Sequence, residues 1–175
     1  MRRKPSLKFI KADFLPLGLG PHQLWLSCEG SDSAIQAALI QSKILTGRYR
    51  DDVLLSKFDN RKSGRCSLPN CNNFPGDVVH YLSGSCPALA PVQNLTLERC
   101  LENLSSTPML IPLVVSALQS SSEDWSKFIL DPSTNCHVIP IQQDFGPQAI
   151  WPLFRFSRAM IWCMHQHRMK LMSSD

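Results

Sequence analysis

Charge is scarce in this sequence. Charged residues make up 18% of it, against roughly 25% in ordinary soluble domains. Apolar residues still reach 43%, enough to build a core, so wholesale disorder is excluded. Low charge together with 13 prolines suits one domain cut from a larger assembly, whose neighbours would cover some apolar surface. Long hydrophobic runs are also missing. The most apolar stretch, Pro108 to Leu118, is 11 residues long and holds two prolines, well short of the roughly 20 that span a bilayer. No membrane partner is therefore expected. A secretory leader is not expected either: Met1-Arg2-Arg3-Lys4 is basic, but Pro5, Lys8, Lys11 and Asp13 interrupt any apolar region behind it. An intracellular setting follows, in which the seven cysteines serve as thiols or metal ligands and not as disulfides. Internal repeats are lacking, and alternation of the strand kind is confined to residues 76–82.

The charge that is present is unevenly placed. Residues 1–11 carry five basic groups and no acidic one, and residues 43–65 carry seven basic against three acidic. Residues 66–147 reverse the sign, with two basic against seven acidic, and residues 148–175 return to an excess of three positive charges. Basic blocks beside a compact site attract phosphate backbones and release counterions on contact. The same residues can equally keep a helix surface solvated, so charge alone does not decide between the two.

Four segments follow from pattern. Residues 1–30 read as an irregular lead-in with Phe9, Phe14, Leu24 and Trp25 as anchors. In 31–58, Ala34, Ile35, Ala38, Ile40, Ile44 and Leu45 recur at helical spacing after a cap at Ser31 or Ser33, and Gly47 ends the run. Val53, Leu54, Leu55 and Phe58 form a second short helical patch. Residues 59–87 are crowded with Asn, Pro and Gly and read as loops. In 88–175, helices are expected near 92–104, at 109–119, over 124–130 and from Pro152 to about Met172, where proline suits a first turn. The fold class is mainly α, a small helical domain with an irregular insert.

That insert carries the chemistry: Cys66-x4-Cys71-x8-His80-x5-Cys86. Three thiolates and one imidazole complete a tetrahedral zinc shell. Pro69 and Asn70 bend the chain so that Cys66 and Cys71 reach one ion. Pro75-Gly76 reverses it, and Gly84 allows the return to Cys86. A 21-residue segment this poor in apolar groups needs a staple, and metal binding supplies it. With all four positions taken by protein, one Zn2+ would be structural, with no catalytic water.

Tyr49-Arg50-Asp51-Asp52 imitates the metal-binding box of reverse transcriptases. Two-metal phosphoryl transfer needs carboxylates on a rigid strand scaffold with a further upstream Asp. No such unit precedes Tyr49, so the pair is expected to be exposed charge at a helix N-terminus, and the chain is read as non-enzymatic. On the last helix, Ile150, Leu153, Phe154, Met160, Ile161, Met164 and Leu171 form a core face. Trp151, Arg155, Arg158, Trp162 and His165 form another, suited either to stacking on bases or to a protein contact. His165 and His167 point about 200° apart on a helix, which argues against a second metal site. Cys28, Cys100 and Cys136 are expected to be core thiols.

These motifs resemble the C-terminal tail of non-LTR (LINE-type) retrotransposon polyproteins, downstream of the reverse transcriptase domain. The resemblance runs from Ser6-Leu-Lys-Phe-Ile10 through Pro21-His22, Trp25 and Ile40 to Arg50. It is strongest at Cys66-Ser-Leu-Pro-Asn-Cys71, His80 and Cys86-Pro-Ala-Leu89, and it continues through Phe128 to Ser133 into Phe154 to Leu171. It implies a zinc-knuckle-like role for Cys66, Cys71, His80 and Cys86. It also implies that the chain helps to grip RNA or DNA, with the polyprotein's reverse transcriptase domain as a further possible partner. The spacing is wider than the retroviral Cys-x2-Cys-x4-His-x4-Cys knuckle, so base recognition of that kind is not implied. Arg48, Arg50, Lys57, Arg61, Lys62 and Arg65 are the expected backbone contacts. The competing reading is a zinc-braced protein-interaction module, or a relic fragment without nucleic-acid binding.

Overall fold

The computed structural model describes residues 23–28, 31–71 and 75–173. Phe9, Phe14 and most of the expected lead-in, as well as Ser6 to Ile10 and Pro21-His22, lie outside the described residues. The fold is mainly helical. Among the described residues nine α-helices follow one another: α1 (Gln23–Leu26), α2 (Asp32–Leu45), α3 (Asp52–Ser56), α4 (Val78–Leu82), α5 (Ala90–Asn103), α6 (Ile111–Leu118), α7 (Ser122–Leu130), α8 (Ile139–Phe145) and α9 (Trp151–Met172). Among the described residues no β-strand forms, and the only ladder contact is an isolated antiparallel bridge between Arg65 and Pro75.

Proline explains much of where helices begin. Pro91, Pro112, Pro140 and Pro152 each stand second in their helix, where a missing N–H removes no intrahelical bond and the fixed φ is already helical. At the other end of α2 a Schellman turn stops the helix: Gly47 N donates to Ile44 O at 2.9 Å and Arg48 N to Lys43 O at 2.7 Å. Gly47 sits at φ 66, a left-handed conformation that costs glycine nothing. The turn swings the chain so that Tyr49 enters the core while Arg48 and Arg50 stay exposed.

The core is organised around α9, which packs against α2, α5, α7 and α4. Leu153, Phe154, Ile161 and Met164 are wholly buried along it, as are Ile150 just before it and Phe128, Ile129 and Leu130 opposite. Each such side chain contributes about 1.5–3 kcal/mol relative to exposure. Arg158 does not lie on an outward face with the tryptophans. It is buried, and its guanidinium donates to Ser27 Oγ at 2.6 Å and to the Ser27 carbonyl at 2.7 Å. These bonds fasten α9 to the turn after α1 and remove Arg158 from any ligand. Trp151 also turns inward, its indole N–H donating to Gln23 Oε1 at 3.0 Å.

Several expectations change at this level. Residues 78–82 form helix α4 and no strand, because Asp77 caps it by accepting from His80 N at 2.8 Å. Trp25 is 38% exposed and anchors little, while Leu24 is buried as expected. Ser31 occupies the α2 cap position, yet its side chain makes no capping bond there. Cys28 and Cys100 are buried thiols, but Cys136 is exposed. It follows the 3₁₀ turn Pro132–Thr134 on the way to α8, a helix without a buried residue. No helix among the described residues is long and apolar enough to cross a membrane.

Candidate metal centre

Cys66, Cys71, His80 and Cys86 come together, all buried, with their ligand atoms within 4.8 Å of one another. Each is delivered by local backbone chemistry. The Arg65–Pro75 bridge pins the two sides of the loop at its neck, and Gly76 N donates to the Gly64 carbonyl at 3.0 Å. Asn70 adopts φ 61, and Cys71 N donates back to Leu68 O at 3.2 Å, so a tight turn returns Cys71 beside Cys66. Asparagine tolerates this left-handed turn because its short side chain crowds the backbone little. Helix α4 carries His80. Gly84, at φ 76, then turns the chain to Cys86, whose carbonyl accepts from Leu89 N and Ala90 N to lead into α5.

The distances suit a single ion. Cys66 Sγ and Cys86 Sγ are 3.9 Å apart, and Cys71 Sγ is 3.0 Å from His80 Nε2. Sulfurs around a tetrahedral ion at 2.3 Å stand about 3.8 Å apart. Burial holds the His80 imidazole below the usual histidine range, which keeps a nitrogen lone pair available at neutral pH. Burial and the neighbouring sulfurs of Cys66 and Cys86 push the Cys71 thiol up to about 12. Burial and Cys66 also raise Cys86, although the backbone N–H groups of Ala88 and Leu89 pull the other way. Cys71 and Cys86, crowded with a third sulfur into dry space, resist ionisation until a cation shares them, so this donor set fits a metal ion. A Cys3His set with soft sulfur ligands suits zinc or an iron–sulfur centre better than calcium or magnesium.

The support beneath this centre is a carboxylate whose role the sequence did not reveal. Asp52 is buried, not exposed at a helix tip. Its Oδ2 accepts from Ser67 N at 2.7 Å, Ser67 Oγ at 2.9 Å and Tyr81 OH at 2.7 Å, while Oδ1 faces Arg168 Nη2 at 3.2 Å. Ser67 follows Cys66 and Tyr81 follows His80, so one carboxylate ties both halves of the loop to α9. Gly76 permits the approach: a Cβ there would lie 2.6 Å from Asp52 Cβ. Asp51 caps α3, accepting from Leu54 N at 2.6 Å. The Tyr49-Arg-Asp-Asp box thus performs structural tasks. No pattern in the sequence links Asp52 to Arg168, which stands 116 residues away.

The expected backbone contacts are all exposed: Arg48 and Arg50 between α2 and α3, Lys57 at the end of α3, and Arg61, Lys62 and Arg65 in the approach to Cys66. The last three line an open groove with Ser63, Gly64 and Ser67, and Asp52 and Cys66 also border it. Arg61 also pairs with Asp59 at 3.1 Å, at the surface. Elsewhere, Cys163 takes a hydrogen bond from Thr96 Oγ1 at 2.9 Å, and His165 Nδ1 lies 3.2 Å from Tyr49 OH. Both belong to helix packing. Compared with known proteins, the chain matches no family model, no curated protein and no solved structure.

Proposed function

We propose that this chain is a non-catalytic nucleic-acid-binding module stapled by one structural Zn2+. The observation that carries the reading is the adjacency of two features. A buried Cys3His cluster with four protein ligands lies directly behind a segment whose Arg48, Arg50, Lys57, Arg61, Lys62 and Arg65 are all exposed. A closed four-ligand site leaves no position for a reactive water, so the metal braces the fold. The braced loop then holds Arg61, Lys62 and Arg65 around the groove, where they can contact successive phosphates of an RNA or DNA backbone. A role like that of a LINE-type polyprotein tail is consistent with this reading and is supported by the sequence resemblance alone.

Two measurements test it. Elemental analysis of the purified chain should give about one zinc per chain, and none in Cys71→Ser/Cys86→Ser. Binding to RNA should weaken steeply with salt, with a log–log slope that reports the number of phosphates neutralised. Salt-independent binding or none would remove the nucleic-acid part and leave a zinc-braced interaction module. The exposed Trp25, Leu26, Ile35 and Leu39 of α1 and α2 are the apolar surface that such a module would use. Concentration-dependent self-association without RNA binding would favour it.

A further inference from the structure

The turn that follows α3 is held by its own backbone. Phe58 N and Asp59 N both donate to Leu55 O at 3.0 Å, and Lys62 N donates to Asp59 O at 2.9 Å. That turn holds Phe58 outward at 82% exposure, the highest of the large apolar side chains among the described residues. Its segment of the chain, 57–65, holds four cations and one acid. Lys57, Arg61, Lys62 and Arg65 are exposed, and the one acid among them, Asp59, is paired with Arg61. A protein-docking patch needs contiguous apolar area, and a single exposed ring in a segment otherwise rich in exposed lysine and arginine does not provide it. A polyanion with flat, uncovered apolar faces does match this surface, because its phosphates meet the cations while a base covers the ring.

We infer that Phe58 is a base-stacking platform and that the ligand class is single-stranded nucleic acid, in which the faces of the bases are accessible. In a duplex those faces are already stacked, and only the phosphates remain for the cations. This assignment rests on the nucleic-acid reading above and narrows it. Phe58 supplies stacking without charge, whereas Arg61, Lys62 and Arg65 supply charge without stacking, so the two contributions separate experimentally.

The test measures binding of the full zinc-loaded chain to a short oligouridylate and to a duplex of equal length, across a salt series. Phe58→Ala should lower single-strand affinity by about tenfold, leave duplex affinity unchanged, and leave the salt slope unchanged because no counterion-releasing contact is lost. Phe58→Tyr should restore the affinity. Arg61→Ala/Lys62→Ala/Arg65→Ala should instead weaken both ligands and flatten the slope. Because Phe58 is so exposed, its replacement leaves the core intact, and an unchanged melting temperature verifies this. Equal affinity of Phe58→Ala and the parent for the single strand, or equal losses on both ligands, overturns the stacking role while phosphate binding stands. Failure of the parent chain to bind either ligand overturns both readings together.

Discussion

Arg168 Nη2 lies 3.2 Å from Asp52 Oδ1, and the two side chains are only 3% and 9% exposed. The same guanidinium lies 4.9 Å from the centre of the Tyr81 ring and donates to the Arg50 carbonyl at 3.1 Å. This pair joins the last turns of α9 to the loop that carries the Cys3His cluster. Burying two charges is costly, and the three hydrogen bonds on Asp52 Oδ2 are what make the arrangement tolerable. Removing one partner strands the other in dry protein. Asp52→Ala and Arg168→Ala should each cost about 3–5 kcal/mol in urea denaturation. The double variant should cost less than the two losses added, because the partners share one interaction. Additive losses would show that the pair is not coupled.

Gly76 and Gly146 offer a contrast between crowding and conformation. A Cβ at Gly76 would meet Asp52 Cβ at 2.6 Å, Asp52 Oδ2 at 2.8 Å and Tyr81 OH at 2.9 Å. Gly76→Ala should therefore displace the Asp52 hub and lower zinc occupancy as well as stability. Gly146 stands at φ 81 with nothing within 4 Å of a new Cβ. At ψ 164 this is a backbone conformation almost confined to glycine, so Gly146→Ala should cost roughly 1–3 kcal/mol from conformation alone, with full zinc occupancy. Equal zinc contents in the two variants would contradict the role given to Gly76.

Helix α4 has a reporter in the core. The Trp125 indole N–H donates to the Leu82 carbonyl at 3.1 Å, and Trp125 is 4% exposed. If the metal orders the Cys66–Cys86 loop, chelation should loosen α4 and break this bond. Tryptophan emission should then shift to the red, and Trp125→Phe should abolish most of the shift although Trp25, Trp151 and Trp162 remain. A shift that persists in Trp125→Phe would place the change elsewhere.

What the sequence disclosed here was what depends on near neighbours. The apolar spacing of α9, the short amphipathic turn at 124–130 and the clustering of Cys66, Cys71, His80 and Cys86 can all be read within windows of about 20 residues, because period, turn and ligand spacing are local properties. Helix α4 was missed because five residues are too few to separate a period of 3.6 from one of 2 in Val78-Val-His-Tyr-Leu82, although Asp77 already stood there as a cap. Helix α8 was missed because it buries none of its residues and so carries no apolar stripe. The buried positions of Asp52, Arg158 and Arg168 are set by partners far along the chain, and no local pattern encodes them. Cys136, with no partner pattern around it, reads as a core thiol, yet its place is decided by an exposed connection.

The seven cysteines divide by environment in a way that alkylation can count. Cys136 is exposed and Cys163 half-buried, while Cys28, Cys66, Cys71, Cys86 and Cys100 are buried. Burial, with Cys163 nearby, pushes the Cys100 thiol up to about 11, so little of it is the reactive thiolate at neutral pH. Brief treatment of the native chain with iodoacetamide should modify Cys136 first, with Cys163 following slowly. Chelation at the same pH should add Cys66, Cys71 and Cys86 as a group, since each loses both its metal and the ordered loop around it. Cys28 and Cys100 lie in the helical core and should react only when denaturant is added. Peptide mapping by mass spectrometry distinguishes these sets. If Cys66, Cys71 and Cys86 react in the untreated chain as fast as Cys136, no metal protects them; if Cys28 and Cys100 join them on chelation, the metal holds the entire fold and not the loop alone.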